Sequence, residues 1–349
     1  MTPAIAIVER LPGHTEVMGG FASLALELGY DVHLFFEGSD PFHMVDYLRT
    51  RIPIKAENLH SWSKIHELSS AFEVILLNTS YVWLDWAPML QQWTAHNRLI
   101  VVHHHSEDIE LNPYGASLYL TPAGGPEKWI FPLYSKPEGI DTESAPLPLG
   151  DMTGLPTLVV VGSLEGKDLA SVSAYMKAGG KLVHYDRHRC GYFSPDDGVY
   201  TQHVGLNGVD FMTSLSQEKK PLFLWFPVVP ESDYLVCRFT GALIIGVDLN
   251  CVMVMPEPLR TLYGFPEDAV ITYEHSVTEA ECLEKLRAPA AEQQQRRWQV
   301  LTWAVDRWKR NLEVFAGAME AAKRIRAGEG SAGAATSISW KRVIRQPGR

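Results

Sequence analysis

A histidine closes the loop after the first apolar run of the chain. Residues 4–8 are continuously apolar, as in a buried parallel strand, and Pro12, Gly13 and His14 follow. A loop leading from a first strand into a helix presents backbone N–H groups to an anion, here including that of Gly13. The imidazole of His14 can act as a general base near neutral pH. We predict both roles, although no GxGxxG fingerprint is present; the alternative is a tight turn with a surface histidine.

The run His103–Asp108 places three histidines and two carboxylates at the end of another apolar strand. Alternate residues of a strand point to opposite faces, so His103 and His105 share one direction. We predict that these two bind acceptor hydroxyls or phosphate, and that Glu107 or Asp108 is a carboxylate base. Two histidines without a clear third ligand are a weak metal motif, so no metal site is predicted. The alternative is a polar strand end with capping residues.

A glycine-bearing loop follows the apolar residues 158–161. Gly162 and Gly166 permit close approach of a ligand to the backbone, and Ser163 adds a hydroxyl. Lys167 supplies a point charge suited to phosphate. We predict that Gly162, Ser163 and Lys167 bind a phosphorylated ligand, because strand-end loops of parallel sheets carry ligand sites. The alternative is a turn followed by a lysine in the first turn of a helix.

Two further strand-end positions carry groups that suit a nucleotide. Thr240 is predicted to cap an apolar helix, and Arg238, Thr240 and Gly241 together would form an anion site. Glu257 follows another apolar run and could accept hydrogen bonds from ribose or sugar hydroxyls. The alternatives are an ordinary helix cap and a solvent-exposed loop glutamate.

Short apolar runs alternate with amphipathic segments in both halves of the chain, which predicts βαβ units and parallel sheets. The predicted strands and helices are, in the first half, strands 4–8, 31–36, 74–78, 99–103 and 117–120 with helices 16–28, 41–51, 62–72 and 83–95, and, in the second half, strands 158–161, 181–185, 222–226, 252–255 and 270–273 with helices 168–178, 240–249, 278–286 and 290–326.

The texture changes between the two halves. Residues 121–156 are rich in proline and glycine and are predicted to connect two domains, whereas 186–205 are predicted to be irregular. Trp298, Trp303 and Trp308 are predicted to anchor the last helix to both domains. The predicted organisation is an N-terminal Rossmann-like domain (1–145), a C-terminal Rossmann-like domain (150–290), a helical crossover (291–326) and a flexible tail (327–349).

Composition narrows the class of protein. The 349 residues are 46% hydrophobic and carry a net charge of −10, which argues against broad nucleic-acid binding and suits two cores. The four cysteines show no CxxC spacing, and the first residues have no signal-peptide pattern. We therefore expect a cytoplasmic protein without a membrane span.

These motifs and their order resemble the GT-B glycosyltransferases, whose two Rossmann-like domains face each other across a cleft. The resemblance covers residues 3–326 and rests on the loops at His14, His103, Gly162 and Arg238, and on the returning C-terminal helix. It implies that the first domain receives an acceptor and the second holds a sugar nucleotide. Many retaining members carry two glutamates seven residues apart at the donor helix, whereas this chain has Arg238 and Ile245 or Gly246 there.

The resemblance implies a metal-independent glycosyltransferase that moves a sugar from a nucleotide diphosphate to a hydroxyl. A UDP-sugar is the favoured donor and a GDP-sugar the second choice, with no tightly bound cofactor. The acceptor would be a glycan or small molecule, with a modified DNA base as a variant. A sugar-nucleotide epimerase and a non-catalytic nucleotide-sugar-binding protein remain alternatives, and so do monomer and dimer, and retention and inversion.

Overall fold

The computed structural model describes residues 2–11, 14–36, 44–80, 82–83, 87–104, 115–125, 127–137, 154–189, 191–193, 198–218, 222–235 and 240–326. Within these ranges the chain forms two separate six-stranded sheets, and every strand pair in them is parallel. Two Rossmann-like α/β units were expected, and this fold class is confirmed.

The first sheet is built around continuously apolar central strands. Its order is β3-β2-β1-β4-β5-β6. The first strand is therefore central, with β2 and β3 added on one side of it and β4, β5 and β6 on the other. The elements of this half are β1 (Ala4–Val8), α1 (Thr15–Glu27), β2 (Asp31–Phe36), α2 (Met44–Arg51), β3 (Leu59–Ser61), α3 (Ile65–Leu68), β4 (Val74–Leu77), α4 (Ala87–His96), β5 (Arg98–His103) and β6 (Ala116–Tyr119).

The second sheet repeats the same winding. Its order, β12-β11-β10-β7-β8-β9, again places the first strand of the half in the middle. The elements are β7 (Thr157–Val161), α5 (Leu169–Lys177), β8 (Lys181–Asp186), β9 (Tyr200–Val204), α6 (Gly208–Gln217), β10 (Phe223–Trp225), α7 (Ala242–Asp248), β11 (Val252–Pro256), α8 (Glu257–Tyr263), β12 (Ile271–Tyr273), α9 (Ala280–Leu286) and α10 (Ala290–Arg326).

Two strands and two helices were not predicted, and both strands lie at sheet edges. The prediction of irregular structure over 186–205 is wrong for β9, and β3, α6 and α8 were not predicted. An edge strand has only one partner, so its residues stay half-exposed and no apolar run marks it. The residues of β3 are all intermediate in exposure, and of the five residues of β9 only Tyr200 is buried.

The segment predicted to be a plain connection is partly core. Residues 129–134 are all buried, and Trp129 bridges to Tyr119 at the end of β6. Pro132 lies against α1 so closely that a Cβ on Gly20 would meet it at 2.4 Å. Gly20 is therefore a packing residue, and a helix-interior glycine is tolerated there because nothing larger fits.

The long helix α10 packs against both sheets, as predicted for its tryptophans. It contacts β5 and β6 of the first sheet and β11 of the second. Trp308 is buried, and Trp303 stacks edge-on against Phe131 and tilted against Phe265. The side-chain amide of Asn311 donates to the Phe131 carbonyl and accepts from the Phe131 N–H, so α10 is fastened to the buried connection.

A second contact joins the halves through polar groups. The carboxylate of Asp248, at the end of α7, accepts hydrogen bonds from the Tyr47 hydroxyl and the Arg51 guanidinium of α2, both at 2.8 Å. Burial raises the pKa of Tyr47 and the Asp248 carboxylate raises it further, so the phenol remains a donor at neutral pH. None of the helices in the described part of the chain is long and apolar enough to cross a membrane.

Candidate active site

A cleft of about 470 Å³ lies where the carboxyl ends of the two sheets meet. The first half contributes the start of α1, including His14, and His104 after β5. The second half contributes loops after β7, β8 and β9 and the start of α7. Ligands of open parallel sheets bind at this edge, so the position alone marks the cleft as a candidate active site.

A buried carboxylate stands behind the first wall of the cleft. Glu9 follows β1 and is 1% exposed; its Oε2 accepts hydrogen bonds from the Thr79 hydroxyl at 2.6 Å and the Asn78 amide at 2.7 Å. Its Oε1 accepts from the Leu11 N–H at 2.7 Å. Burial raises the pKa of the Glu9 carboxyl to about 6, although the bonds from Thr79, Leu11 and Asn78 favour the ionised form.

Two imidazoles converge on the same threonine. His14 Nδ1 lies 3.1 Å from Thr79 Oγ1, and His104 Nε2 lies 3.4 Å from Thr79 Oγ1 and 2.8 Å from the Asn78 carbonyl. The two rings stack with centroids 4.3 Å apart. The Asn78 amide also donates to the His14 carbonyl, so the loop at the end of β4 fixes both the backbone and the ring of His14.

A buried neutral histidine holds the glycine loop of the second wall. Gly162 has φ +89°, a left-handed conformation that favours glycine, and its N–H donates to the Tyr185 carbonyl. His184 Nε2 donates to the Gly162 carbonyl at 2.8 Å while its Nδ1 accepts from the Tyr200 hydroxyl. Burial lowers the pKa of His184, which keeps it neutral and suited to both bonds. Gly162 and Ser163 both line the cleft.

The start of α7 lies on the same wall, two residues later than the start of the predicted helix 240–249. Thr240 and Gly241 line the cleft, but the helix begins at Ala242, and the capping residue is Gly241 with no side-chain cap. The Thr240 carbonyl accepts from the Leu243 N–H. The prediction that Thr240 caps the helix through its side chain is therefore wrong, and its hydroxyl is not committed to a capping bond.

An aromatic and basic wall, defined here as Tyr185, Arg187, His203 and Phe211, completes the second side of the cleft. Tyr185 stacks on His203 with centroids 4.6 Å apart and meets Phe211 edge-on at 5.5 Å. Its hydroxyl is held by Ser214 and Glu218, which fixes the ring. Flat faces beside an exposed guanidinium suit a planar ligand that carries negative charge.

The four residues of that wall, like Glu9 and Thr79, were not predicted as functional, and His104 was part of the His103–Asp108 run without being selected as an acceptor contact. Thr79 and Arg187 lie within two residues of the ends of β4 and β8, so the strand-end rule that found His14 and Gly162 applies equally to them. Glu9 continues an apolar strand, and nothing in its local sequence distinguishes a buried carboxylate from a solvated one.

His103 lies elsewhere than predicted. It is fully buried, its Nε2 lies 3.2 Å from the Ser117 hydroxyl, and its ring stacks on Tyr119 within the sheet. Alternate residues of a strand do share one direction, but the residue of this run that lines the cleft is His104, and His103 points the other way. The predicted acceptor contact of His103 is therefore not supported by this placement.

Neither Lys167 nor Glu257 lines the cleft. The Lys167 ammonium lies 4.4 Å from the centroid of the Tyr234 ring, which does line it. Glu257 opens α8 and is held by the Arg260 guanidinium through its Nε at 2.8 Å, an interaction that lowers the pKa of Glu257. Its predicted contact with ribose would have to compete with that ion pair.

The remaining predicted site residues lie outside the described ranges. Within those ranges, no three His, Cys, Asp or Glu side chains are grouped so that they could hold a metal ion. The predicted residues without a described position are Gly13, His105, Glu107, Asp108 and Arg238.

Solved structures with a similar fold include several glycosyltransferases. AviGT4, a glycosyltransferase involved in avilamycin A biosynthesis, is 16% identical over 93% of this chain and 98% of its own, with a TM-score of 0.55. A DNA-modifying β-glucosyltransferase, studied with and without uridine diphosphoglucose, is 10% identical over 91% and 99%, with a TM-score of 0.53. The β-glucosyltransferase of phage T4 is 12% identical over the same shares, with a TM-score of 0.51.

No protein-family model matches the chain, and no curated protein matches it either. The structural similarity covers nearly the whole chain and nearly the whole of each neighbour. It establishes the fold, which is that of the GT-B enzymes, including both sheets and the returning helix.

Proposed function

We propose, from the GT-B fold of this chain and the geometry of its cleft, that it transfers a sugar from a nucleotide diphosphate to a hydroxyl acceptor. The observation that carries the proposal is the pairing of a fixed imidazole, His14, on one wall with glycine-rich backbone loops on the other. A base and an anion-binding surface on opposite walls are what such a transfer requires.

The second wall would hold the donor. Apart from its neighbours in the chain, no atom lies within 4 Å of the position that a Cβ would take on Gly162, so a phosphate can approach that backbone closely, and the Arg187 guanidinium adds charge. Lys167 and Arg238 remain predicted diphosphate contacts. These groups would stabilise the leaving diphosphate without a metal ion, in keeping with the absence of a DxD motif from the sequence.

UDP-sugars are the first donors to test, with GDP-sugars second. The β-glucosyltransferase with a TM-score of 0.53 is described with uridine diphosphoglucose. That same protein is called a DNA-modifying enzyme, which keeps a modified DNA base as a second acceptor class beside glycans and small molecules. A gel shift at low salt tests that class, because phosphate contacts make DNA binding strongly salt-dependent.

Donor binding and turnover test the proposal. Calorimetry should detect UDP or GDP binding, and labelled UDP-sugar should release UDP in the presence of an acceptor panel, with EDTA having no effect. Sugar-nucleotide interconversion without acceptor would support the epimerase instead. Binding without any turnover would support the non-catalytic alternative, and no binding of any nucleotide diphosphate would refute all three.

A matched pair of arginines gives the test a structural control. Arg187 and Arg189 are both exposed and lie two residues apart, but only Arg187 lines the cleft. We expect Arg187→Gln to weaken UDP binding about 10-fold, the loss of one charge-assisted contact. Arg189→Gln should bind UDP as the unaltered protein does. Equal effects of the two changes would remove the diphosphate from this wall.

A further inference from the structure

The buried carboxylate of Glu9 has no role in the transfer as proposed above. It lies at the end of β1, away from solvent, yet each of its oxygens accepts a hydrogen bond from the described residues around it. A buried charge is stable only when paired or fully hydrogen-bonded. The partners here, Thr79 and Asn78, belong to the loop that also holds the rings lining the cleft.

The donor and acceptor roles of these groups fix the direction of each hydrogen bond between Glu9, Thr79 and His14. A threonine hydroxyl has one proton, and that of Thr79 is donated to Glu9 at 2.6 Å, because a carboxylate can only accept. The Thr79 oxygen must then accept from His14 Nδ1, 3.1 Å away. A neutral His14 consequently carries its proton on Nδ1, and Nε2 is its basic nitrogen.

The neighbouring ring is fixed independently. His104 Nε2 lies 2.8 Å from the Asn78 carbonyl, which can only accept, so this nitrogen carries a proton. His104 Nε2 therefore cannot accept the proton of the Thr79 hydroxyl, so the ring stacked on His14 does not compete with Glu9 for that proton. Of the two imidazoles, His14 is the one joined to Glu9 through Thr79 by a bond of ordinary length.

We propose that Glu9 is a positioning residue that acts through the Thr79 hydroxyl to hold His14 as a base with its proton on Nδ1. This inference rests on the proposed function. In the transfer, the acceptor hydroxyl gives its proton to His14 Nε2 as its oxygen bonds to the anomeric carbon. The bond from that carbon to the diphosphate breaks, the diphosphate leaves with the electron pair, and the imidazolium later releases the proton to water.

Replacing the hydroxyl alone separates positioning from packing. Thr79→Val keeps the shape of the side chain and removes the hydroxyl, whereas Thr79→Ser keeps the hydroxyl. We expect Thr79→Val to lower kcat about 100-fold with the donor KM nearly unchanged, and Thr79→Ser to restore most of kcat. Thr302→Val, which removes an exposed hydroxyl bonded within α10, is the control. Equal losses in the Val and Ser variants would overturn the proposal.

The charge of Glu9 is tested by its amide. Glu9→Gln should lower kcat and move the acid limb of the rate profile to lower pH, because a neutral amide no longer favours the protonated imidazole or titrates itself. The double variant Glu9→Gln/Thr79→Val should lose no more than Thr79→Val alone, as expected of residues that act in series. Additive losses of kcat together with an unshifted acid limb would contradict an action of Glu9 through the Thr79 hydroxyl.

Nitrogen NMR of the histidine rings separates failure of this inference from failure of the proposed function. In the unaltered protein above pH 7, His14 should show a protonated Nδ1 and an unprotonated Nε2, and Thr79→Val should change that ratio. The measurement needs no substrate, so it reports on positioning even if no transfer is found. An unchanged His14 tautomer in both Thr79→Val and Glu9→Gln would refute the role assigned to Glu9.

Discussion

His14 Nδ1 lies within hydrogen-bonding distance of a hydroxyl that the cleft itself does not expose. Thr79 is fully buried and touches Glu9 on one side and His14 on the other. A histidine at a strand-end loop can present either nitrogen, and only a partner on one of them decides which is basic. The candidate site therefore includes buried residues behind the surface of the cleft as well as the residues that line it.

Removal of the imidazole should abolish turnover and spare binding. We expect His14→Gln to lower kcat by about 10² to 10⁴-fold, the range for loss of a general base, while UDP affinity stays within about 2-fold. Steady-state kinetics and calorimetry measure the two quantities separately. His188→Gln, at an exposed cleft residue outside the Glu9 network, is the comparison. Equal kcat losses in both variants would show that His14 is not the base.

Strand-end position was enough to predict part of the site. His14, Gly162, Ser163, Thr240 and Gly241 were named from the sequence and all line one cleft. Their detection needed only the ends of apolar runs, which are local. The network behind His14 joins residues 9, 14, 78, 79 and 104, which are distant in sequence, and only the sheet order brings them together. His103 was chosen over His104 because alternation along a strand shows which residues share a face but not which of the two faces meets the cleft.

At the scale of elements, α2 and α7 form a polar contact between the halves. Both Tyr47 and Arg51 project from α2 to one carboxylate, Asp248, whose side chain is 5% exposed. Hydrogen bonds to a charged group contribute more than neutral ones, and burial protects this contact from screening. The sequence does not indicate this contact, because the partners of Asp248 lie some 200 positions away in the chain.

Neutralising Asp248 should loosen the two halves. We expect Asp248→Asn to cost about 2 kcal/mol of interaction, with a lower Tm and a larger radius of gyration in X-ray scattering. Asp306→Asn, at a 74% exposed partner of Lys309 on α10, should change neither quantity, since exposed pairs contribute little. An unchanged scattering profile for Asp248→Asn would mean that other contacts keep the halves together.

The helices and strands that were predicted correctly share strong local signals. β1, β4 and β5 are nearly pure apolar runs that the sheet buries completely, and α10 is long enough to be recognised by length alone. The missed β9 lies at the edge of the second sheet and the missed α6 packs against α2 of the first half, and in both elements polar residues are interspersed with apolar ones. Tertiary packing, absent from any local window, decides their structure.

At the scale of the whole molecule, residues 127–137 follow the first sheet, and the chain returns to that sheet through α10. These two passages touch: Phe131 meets Trp303, and Asn311 bonds both backbone groups of Phe131. The Arg307 guanidinium stacks on Trp129 beside them, and burial lowers the pKa of Arg307 to about 10. The passages therefore form one shared, largely aromatic junction.

Asn311 should be the most sensitive polar residue of that junction. We expect Asn311→Leu to destabilise the protein by about 2 to 3 kcal/mol through loss of both bonds to Phe131, lowering Tm by about 5 °C. Calorimetric melting measures this, with Arg310→Gln, at a half-exposed neighbour paired to Glu313, as the control. A Tm equal to that of the unaltered protein would show that the aromatic contacts alone secure α10.

Two of the attachments between the halves differ in kind: one is the ion pair at Asp248, and the other is the aromatic contact between Phe131 and Trp303. A buried ion pair is screened only weakly by dissolved salt, whereas strongly excluded salts such as sulfate strengthen apolar burial. Added sulfate should therefore strengthen the contact at Phe131 and Trp303 and leave the one at Asp248 nearly unchanged. Solvent composition thus acts on the two attachments unequally, so the aromatic junction can be made firmer without altering the polar contact that joins α2 to α7.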